Sequence, residues 1–160
     1  MLILEFKLKR LRLKIPPPIV AIICGLMIWK FSELLPTLII NVEIRHGIAY
    51  TLLGIAGAID IWALLSFRKQ KTTIDPRYPH KTSSIVSCGI YNHTRNPMYL
   101  GLVLILSATS IYFSTCFGFF VIAAFILYMN AFQIKPEEEA LEKQFGEAYL
   151  TYKSSVRRWI

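Results

Sequence analysis

Two stretches of the chain gather side chains suited to holding an ionic ligand beside an apolar one. The first is Gly89 to Gly101, GIYNHTRNPMYLG. Pro97 suits the opening turn of a helix and Asn96 the cap before it. Arg95 then adjoins that helix's exposed N–H groups. A planar guanidinium beside the positive end of a helix is a ready carboxylate site. Tyr99 and Gly101 fall in the first turns, and a glycine there lets another group approach closely. The same residues also fit an ordinary membrane-helix start, with Arg95 anchored among lipid headgroups.

The second stretch is the tail from Pro136, PEEEALEKQFGEAYLTYKSSVRRWI. Pro136 is expected to break a preceding helix and start another. Leu141, Phe145, Tyr149, Tyr152 and Val156 recur at intervals of three and four, which predicts one amphipathic face. Glu138 falls in the middle of that face, Glu137 at its edge, and Glu139 points away. A carboxylate on a buried face needs a cation or hydrogen-bond donors. Arg95, Arg157 and Arg158 are the candidates. The arrangement serves a ligand site or a salt bridge tying tail to loop.

Asp60 stands inside an apolar run, an expensive place for a charge and by default a functional hypothesis. The alternative is a carboxyl that is hydrogen-bonded or protonated opposite Tyr128 or Asn130. Gly54, Gly57 and Asp60 in LLGIAGAID superficially resemble a dinucleotide loop. Their apolar setting favours close helix packing instead. Cys24, Cys88 and Cys116 are scattered, with no C-x-x-C pair. Cys24 is expected in a membrane helix and Cys88 in a cytoplasmic loop, which argues against a disulfide framework. The three histidines have no ligand spacing, so no metal site is expected.

The elements that position these groups follow from hydropathy and charge. Of the 160 residues, 54% are hydrophobic, yet Lys and Arg outnumber Asp and Glu by 18 to 10. The basic residues border long apolar runs, a pattern that fits anionic lipid headgroups and not a nucleic-acid surface. Apolar segments run from Pro18 to about Ile40, Gly47 to Phe67, Pro97 to Phe113 and Phe117 to Ile134. The first is weakened by Lys30, Glu33 and Pro36, with Lys30 and Glu33 placed to pair at i,i+3. The last two sit near the lower limit of roughly 17 residues for a span. Joined by Ser114-Thr115-Cys116, they read as a helical hairpin.

Residues 1–15, MLILEFKLKRLRLKI, carry five basic residues among leucines. They read as a basic flank or an interfacial amphipathic helix with Leu4, Leu8, Leu11 and Ile15 on one face. No small-residue cleavage site follows, which argues against a cleaved signal peptide. Residues 68–96 carry six Lys or Arg and the tail from Lys135 five, against one in the 41–46 connection and none in the 114–116 turn. The positive-inside rule then places both termini and the long loop in the cytoplasm, which requires an even number of spans. The expected fold is all-α, a single multi-pass membrane domain of about four transmembrane helices over residues 1–160. Residues 18–67 form two spans, and residues 80–160 hold the loop, the hairpin and a C-terminal amphipathic helix.

Taken together, the two stretches resemble the isoprenylcysteine carboxyl methyltransferase family, which is similar to membrane phospholipid N-methyltransferases. The residues carrying the resemblance are Gly89 and Tyr91; Arg95, Asn96, Pro97, Tyr99 and Gly101; and Glu137, Glu138, Leu141, Phe145, Gly146, Tyr149 and Tyr152, over roughly residues 80 to 160. The resemblance implies that loop and tail fold over S-adenosylmethionine at the cytoplasmic membrane edge. A small or lipid-like acceptor would enter from the bilayer. Gly89, Tyr91, Arg95, Asn96, Pro97, Tyr99, Gly101, Glu137, Glu138, Tyr149 and Tyr152 are the implied cofactor-binding residues, with Arg95 and Glu138 as the candidate catalytic pair. Asn96 replaces the usual His of the prenylcysteine enzymes, and the tail ends Val-Arg-Arg-Trp-Ile. Both departures bear on the acceptor more than on the cofactor. A protonated acceptor would need a base, with His80 or His93 nearest. Two rivals remain: an NADPH-dependent reductase related to membrane sterol reductases, and a non-enzymatic scaffold or transport subunit using Asp60 and Lys30.

Overall fold

A computed structural model describes residues 13–34, 39–70 and 84–160, and among these the secondary structure is entirely helical. The expectations for residues 1–12, Pro36 and His80 lie outside the described residues. Helix α1, Pro17–Ser32, starts on a proline whose missing N–H costs nothing in a first turn. It is shorter than the apolar run predicts. It ends beside the Lys30–Glu33 pair, whose charged atoms are 2.7 Å apart as the spacing predicts. Helix α2, Val42–Gln70, has 29 residues and extends the predicted segment at both ends. Asn41 Oδ1 starts it by accepting the N–H groups of Glu43 at 2.9 Å and Ile44 at 3.3 Å.

Helix α3, Pro97–Tyr112, and α4, Phe117–Met129, form the expected hairpin. The turn holds Ser114 at φ 56°, and Ser110 Oγ donates to the Thr115 carbonyl at 2.9 Å. Gly118 lets the second helix close onto Ser110, where any Cβ would collide.

Beyond α4 the outcome differs from expectation. Pro136 does not break the helix. The chain widens into a π-helical segment, Asn130–Ile134, and runs on as α5, Lys135–Phe145. Proline offers no N–H to the carbonyl four residues earlier, so the Phe132 carbonyl is left over. The Leu13 N–H takes it at 3.0 Å, and Gln133 Nε2 donates to the Ile15 carbonyl at 2.7 Å. The residues before α1 are thereby fastened to the π segment. The break comes instead at Gly146, with φ 53° in the left-handed region that favours glycine. The predicted single tail helix is therefore two, α5 and α6, Glu147–Ser155.

Helix α3 is central, packing against α1, α2 and α4. Ile28, Leu106, Phe125 and Met129 are fully buried where α1, α3 and α4 meet. A second cluster of Ala63, Val86, Ile90 and Tyr91 seats the 84–92 loop on α2. Val42–Gln70 and the continuous helical stretch Phe117–Phe145 are long and apolar enough to cross a membrane, whereas α1 and α3 have 16 residues each. Ile22, Leu26, Ile61, Leu65, Phe119 and Leu127 point outward uncovered, a quantity of exposed apolar surface that water does not favour.

Candidate functional site

The loop before α3, the first turn of α3, and α5 with α6 converge on one cavity of about 430 Å³, closed on its other side by α1 and α2. That volume suits a cofactor-sized ligand. Of the implied binding residues, Tyr91, Arg95, Asn96, Pro97, Tyr99, Glu137, Glu138, Tyr149 and Tyr152 line it. The two motif glycines do not. Gly89, at φ 61°, brings the loop against α2, where a Cβ would stand 2.6 Å from Ser66 Oγ. Gly101 makes room for Asp60, whose carboxyl carbon would be 2.9 Å from a Cβ. Asp60 therefore meets α3, not Tyr128 or Asn130.

The ionic part of the cavity centres on Glu138, which is buried as its helical phase predicts. Arg95 Nη2 donates to its Oε1 at 2.9 Å. Arg158 Nε donates to Oε1 at 3.1 Å and Nη2 to Oε2 at 2.6 Å. Lys153 lies 4.0 Å from Oε2 and pairs with Glu142. Arg95 Nη1 donates to the Lys153 carbonyl at 2.7 Å, while its Nε is buried with no partner among the described residues. Arg157 is exposed and takes no part through its side chain. The bond from Glu138 raises the Arg158 pKa, against a smaller opposing effect of burial.

Beside this network, Tyr99 Oη donates to Glu137 Oε1 at 2.5 Å and Tyr152 Oη donates to the Tyr91 carbonyl at 2.8 Å. Burial pushes up the pKa values of Tyr91, Tyr149 and Tyr152. For Tyr91 the charges of Tyr152, Glu137 and Asp60 add to it, and for Tyr152 the nearby Arg95 opposes it. These phenols remain neutral donors at ordinary pH.

The strap that closes the site is the part the sequence reading missed. After α6 the chain turns extended at Val156 and runs beside the loop. Arg95 N–H donates to the Arg157 carbonyl at 3.0 Å. The Arg158 carbonyl accepts from Asn96 Nδ2 at 2.8 Å and Thr94 Oγ1 at 3.3 Å. Asn96 occupies the cap position of α3, but its side chain makes no cap bond. It holds the tail instead, and Thr94 Oγ1 accepts the Asn96 N–H at 3.2 Å. Trp159 Nε1 donates to Asn130 Oδ1 at 3.2 Å. His93 is exposed and lies outside the cavity lining, so it is badly placed for the base role considered for it. Among the described residues no cluster of His, Cys, Asp or Glu could hold a metal.

Comparison with known proteins bears on what this cavity does. The family model for phospholipid methyltransferase matches residues 44–148. The chain belongs to the phospholipid methyltransferase family. The match reaches back to residue 44, so α2 and Asp60 fall within the family region, beyond the half-chain that carried the motif resemblance. An uncharacterized protein of Haemophilus influenzae is 44% identical over 63 residues, covering 39% of this chain and 100% of that protein. No solved structure matches. Family membership makes methyl transfer at a membrane the general activity, and methyltransferases of this family generally use S-adenosylmethionine.

Proposed function

We propose that the protein transfers a methyl group from S-adenosylmethionine to a small or lipid-like acceptor (a carboxylate, thiol or amine) at the cytoplasmic edge of the membrane. The observation that carries this reading is the cavity itself. It joins a guanidinium at a helix N-terminus, two glutamates and four tyrosines under apolar helices. That donor set fits the cofactor. Arg95, whose buried Nε has no partner among the described residues, suits a carboxylate. Glu137 and the tyrosine rings suit an ammonium, a sulfonium or an adenine face.

The cofactor supplies an electrophilic methyl group on a cationic sulfur. The chain's own residues bind, orient and exclude water. Arg95 and Glu138 hold the loop and tail in register, so a ligand between them meets a fixed frame. Leu64, Phe67, Leu102 and Ile134 give the cavity apolar walls. With a carboxylate or thiolate acceptor, a site poor in water favours the reaction because two opposite charges disappear.

In this reading α1 to α4 all cross the bilayer, both termini are cytoplasmic, and membrane lipids surround the outward apolar faces. Cysteine-accessibility labelling in oriented vesicles is expected to find the C-terminus on the cytoplasmic side; an external C-terminus overturns the four-span arrangement. Calorimetric titration of the purified protein with S-adenosylhomocysteine and with NADPH is expected to give binding to the first alone. Binding of NADPH alone would make the protein a reductase, and binding of neither would leave a scaffold.

A further inference from the structure

At the end of α2 and α3 away from the cavity, a second group of polar side chains stands together. Arg45 and His46 lie in the first turns of α2, and Tyr112 is the last residue of α3. The His46 and Tyr112 rings stack with centroids 4.6 Å apart and 14° between their planes. Tyr50, one turn along α2 from His46, lies 6.4 Å from Tyr112. Arg45 shares the helical face of Ala49 and Ala56, which are buried where α2 packs on α3. Its guanidinium is therefore turned toward the seam between the helices. Among the described residues its Nε is buried with no hydrogen-bond partner, and no carboxylate pairs with it. Lys30, the other described cation at this end, is already paired with Glu33. Glu43, two residues before Arg45, falls on the opposite side of α2. The free N–H groups of that helix end are taken by Asn41. The 29 residues of α2 extend about 44 Å, the thickness of a bilayer with its headgroups. Arg68 and Lys69 stand at one end of that length. Arg45 stands at the other, roughly 22 Å along the axis from Asp60. In the four-span arrangement this is the side where short connections ordinarily lack Lys and Arg. An arginine kept there, unpaired and turned inward, calls for a counter-charge.

We propose that this cluster binds the phosphate of a phospholipid headgroup in the leaflet away from the cavity. The Arg45 guanidinium offers a planar fork that matches two phosphate oxygens. His46 carries at least one ring N–H in either charge state, and the Tyr50 and Tyr112 phenols can donate as well. The ring stack and the α2–α3 seam hold these groups in place beforehand, so little side-chain freedom is lost on binding. Below His46 and Tyr50 the same face of α2 continues with Leu53 and Gly57, both exposed. An acyl chain of the lipid lies along that apolar track. A phosphate held between Arg45 and Tyr112 ties α2 to α3, the two helices whose other ends frame the cavity. The inference needs α2 to cross the bilayer and is independent of methyl transfer.

The test compares dioctanoyl phosphatidylglycerol, dioctanoylglycerol and inorganic phosphate by the concentration dependence of the unfolding midpoint of the detergent-purified protein. Wild type is expected to bind the phospholipid about tenfold or more tighter than either of the others. Arg45→Gln is expected to lose about tenfold in phospholipid affinity, the effect of one charge-assisted hydrogen bond, with dioctanoylglycerol unchanged. Arg68→Gln, at the other end of α2, is expected to bind all three as wild type does. Equal losses in the two variants would mean diffuse attraction to basic residues and overturn the proposal. So would an Arg45→Gln protein that is less stable but unchanged in phospholipid affinity, the behaviour of a merely structural arginine. Inorganic phosphate binding as tightly as the phospholipid, and lost in Arg45→Gln, overturns the lipid as the source of the anion. Arg45→Met, which keeps an unbranched stem, repeats the comparison if the Gln variant does not fold. S-adenosylhomocysteine binding in the same samples is expected to be equal in wild type and variants. Its absence in wild type overturns the methyltransferase reading, and the phospholipid comparison still decides the role of Arg45.

Discussion

The two ends of the cavity are built on opposite terms. At the tail end each charge is matched: Glu138 accepts three hydrogen bonds from two arginines, and both terminal nitrogens of Arg95 are engaged. At the other end Glu137 accepts one phenol, and Asp60 Oδ1 accepts nothing among the described residues. A buried network whose charges are matched is rigid even though the Arg95 Nε is left over among the described residues, and breaking it is costly because the remaining partner is stranded. An unsatisfied group has capacity left for a ligand. The difference separates a frame from a binding surface, and substitutions at the two ends should differ in kind.

The largest effect is expected from Glu138→Ala. It strands Arg95, whose side chain is only 9% exposed, and removing one partner of a buried pair costs about 3–5 kcal/mol. Unfolding in one detergent should show this loss, while exposed Glu139→Ala should stay within about 0.5 kcal/mol. Equal, small losses would mean that the network does not organise the tail. Arg95→Lys keeps the charge but loses the fork that spans Glu138 and the Lys153 carbonyl. Affinity for S-adenosylhomocysteine is expected to fall by ten- to over a hundredfold, for a loss of about 1.5–3 kcal/mol. Matching affinities would return Arg95 to a headgroup anchor.

At the other end, Gly101→Ala drives a methyl group into the Asp60 carboxyl, and such overpacking costs about 1–3 kcal/mol. The cost should vanish when Asp60 is also replaced by Ala, a coupling that a double-mutant cycle reads directly. The smallest effect is expected from Tyr152→Phe, which removes the bond to the Tyr91 carbonyl for about 0.5–1.5 kcal/mol. Its pH dependence has a definite sign. Folding raises the Tyr152 pKa above the ordinary 10.0, so the folded state holds its proton more tightly than the unfolded one. The associated stability is whole below pH 10 and is lost as pH climbs beyond it. Unfolding midpoints measured across that range should fall less steeply for Tyr152→Phe than for wild type.

Some of this architecture was legible in single helical turns. Lys30 and Glu33 pair because three residues separate them on one helix. Glu138 is buried because its phase matches Leu141 and Tyr149. Even so, the tail's sequence reads as one helix, because a periodicity of three and four continues through Gly146 whether or not the backbone does. Pro136 reads as a break for the converse reason. A missing N–H looks fatal until another segment supplies the donor, and that donor belongs to Leu13, over a hundred residues away.

The order of apolar and charged residues determined by itself that this chain forms apolar helices with their charges at the ends. It also determined that burial of the tail's apolar face would carry Glu138 inward and that a buried carboxylate there would demand a cation, with Arg95, Arg157 and Arg158 as the candidates. Tertiary structure alone decided which partners are used. Asn96 turned from its own helix to the Arg158 carbonyl, Arg158 and not Arg157 completed the pair, and Gly101 admitted Asp60 instead of a ligand. Periodicity constrains which face of a helix is buried. What that face meets depends on how distant helices cross, and on which orphaned donors and acceptors the crossing brings within 3 Å of one another.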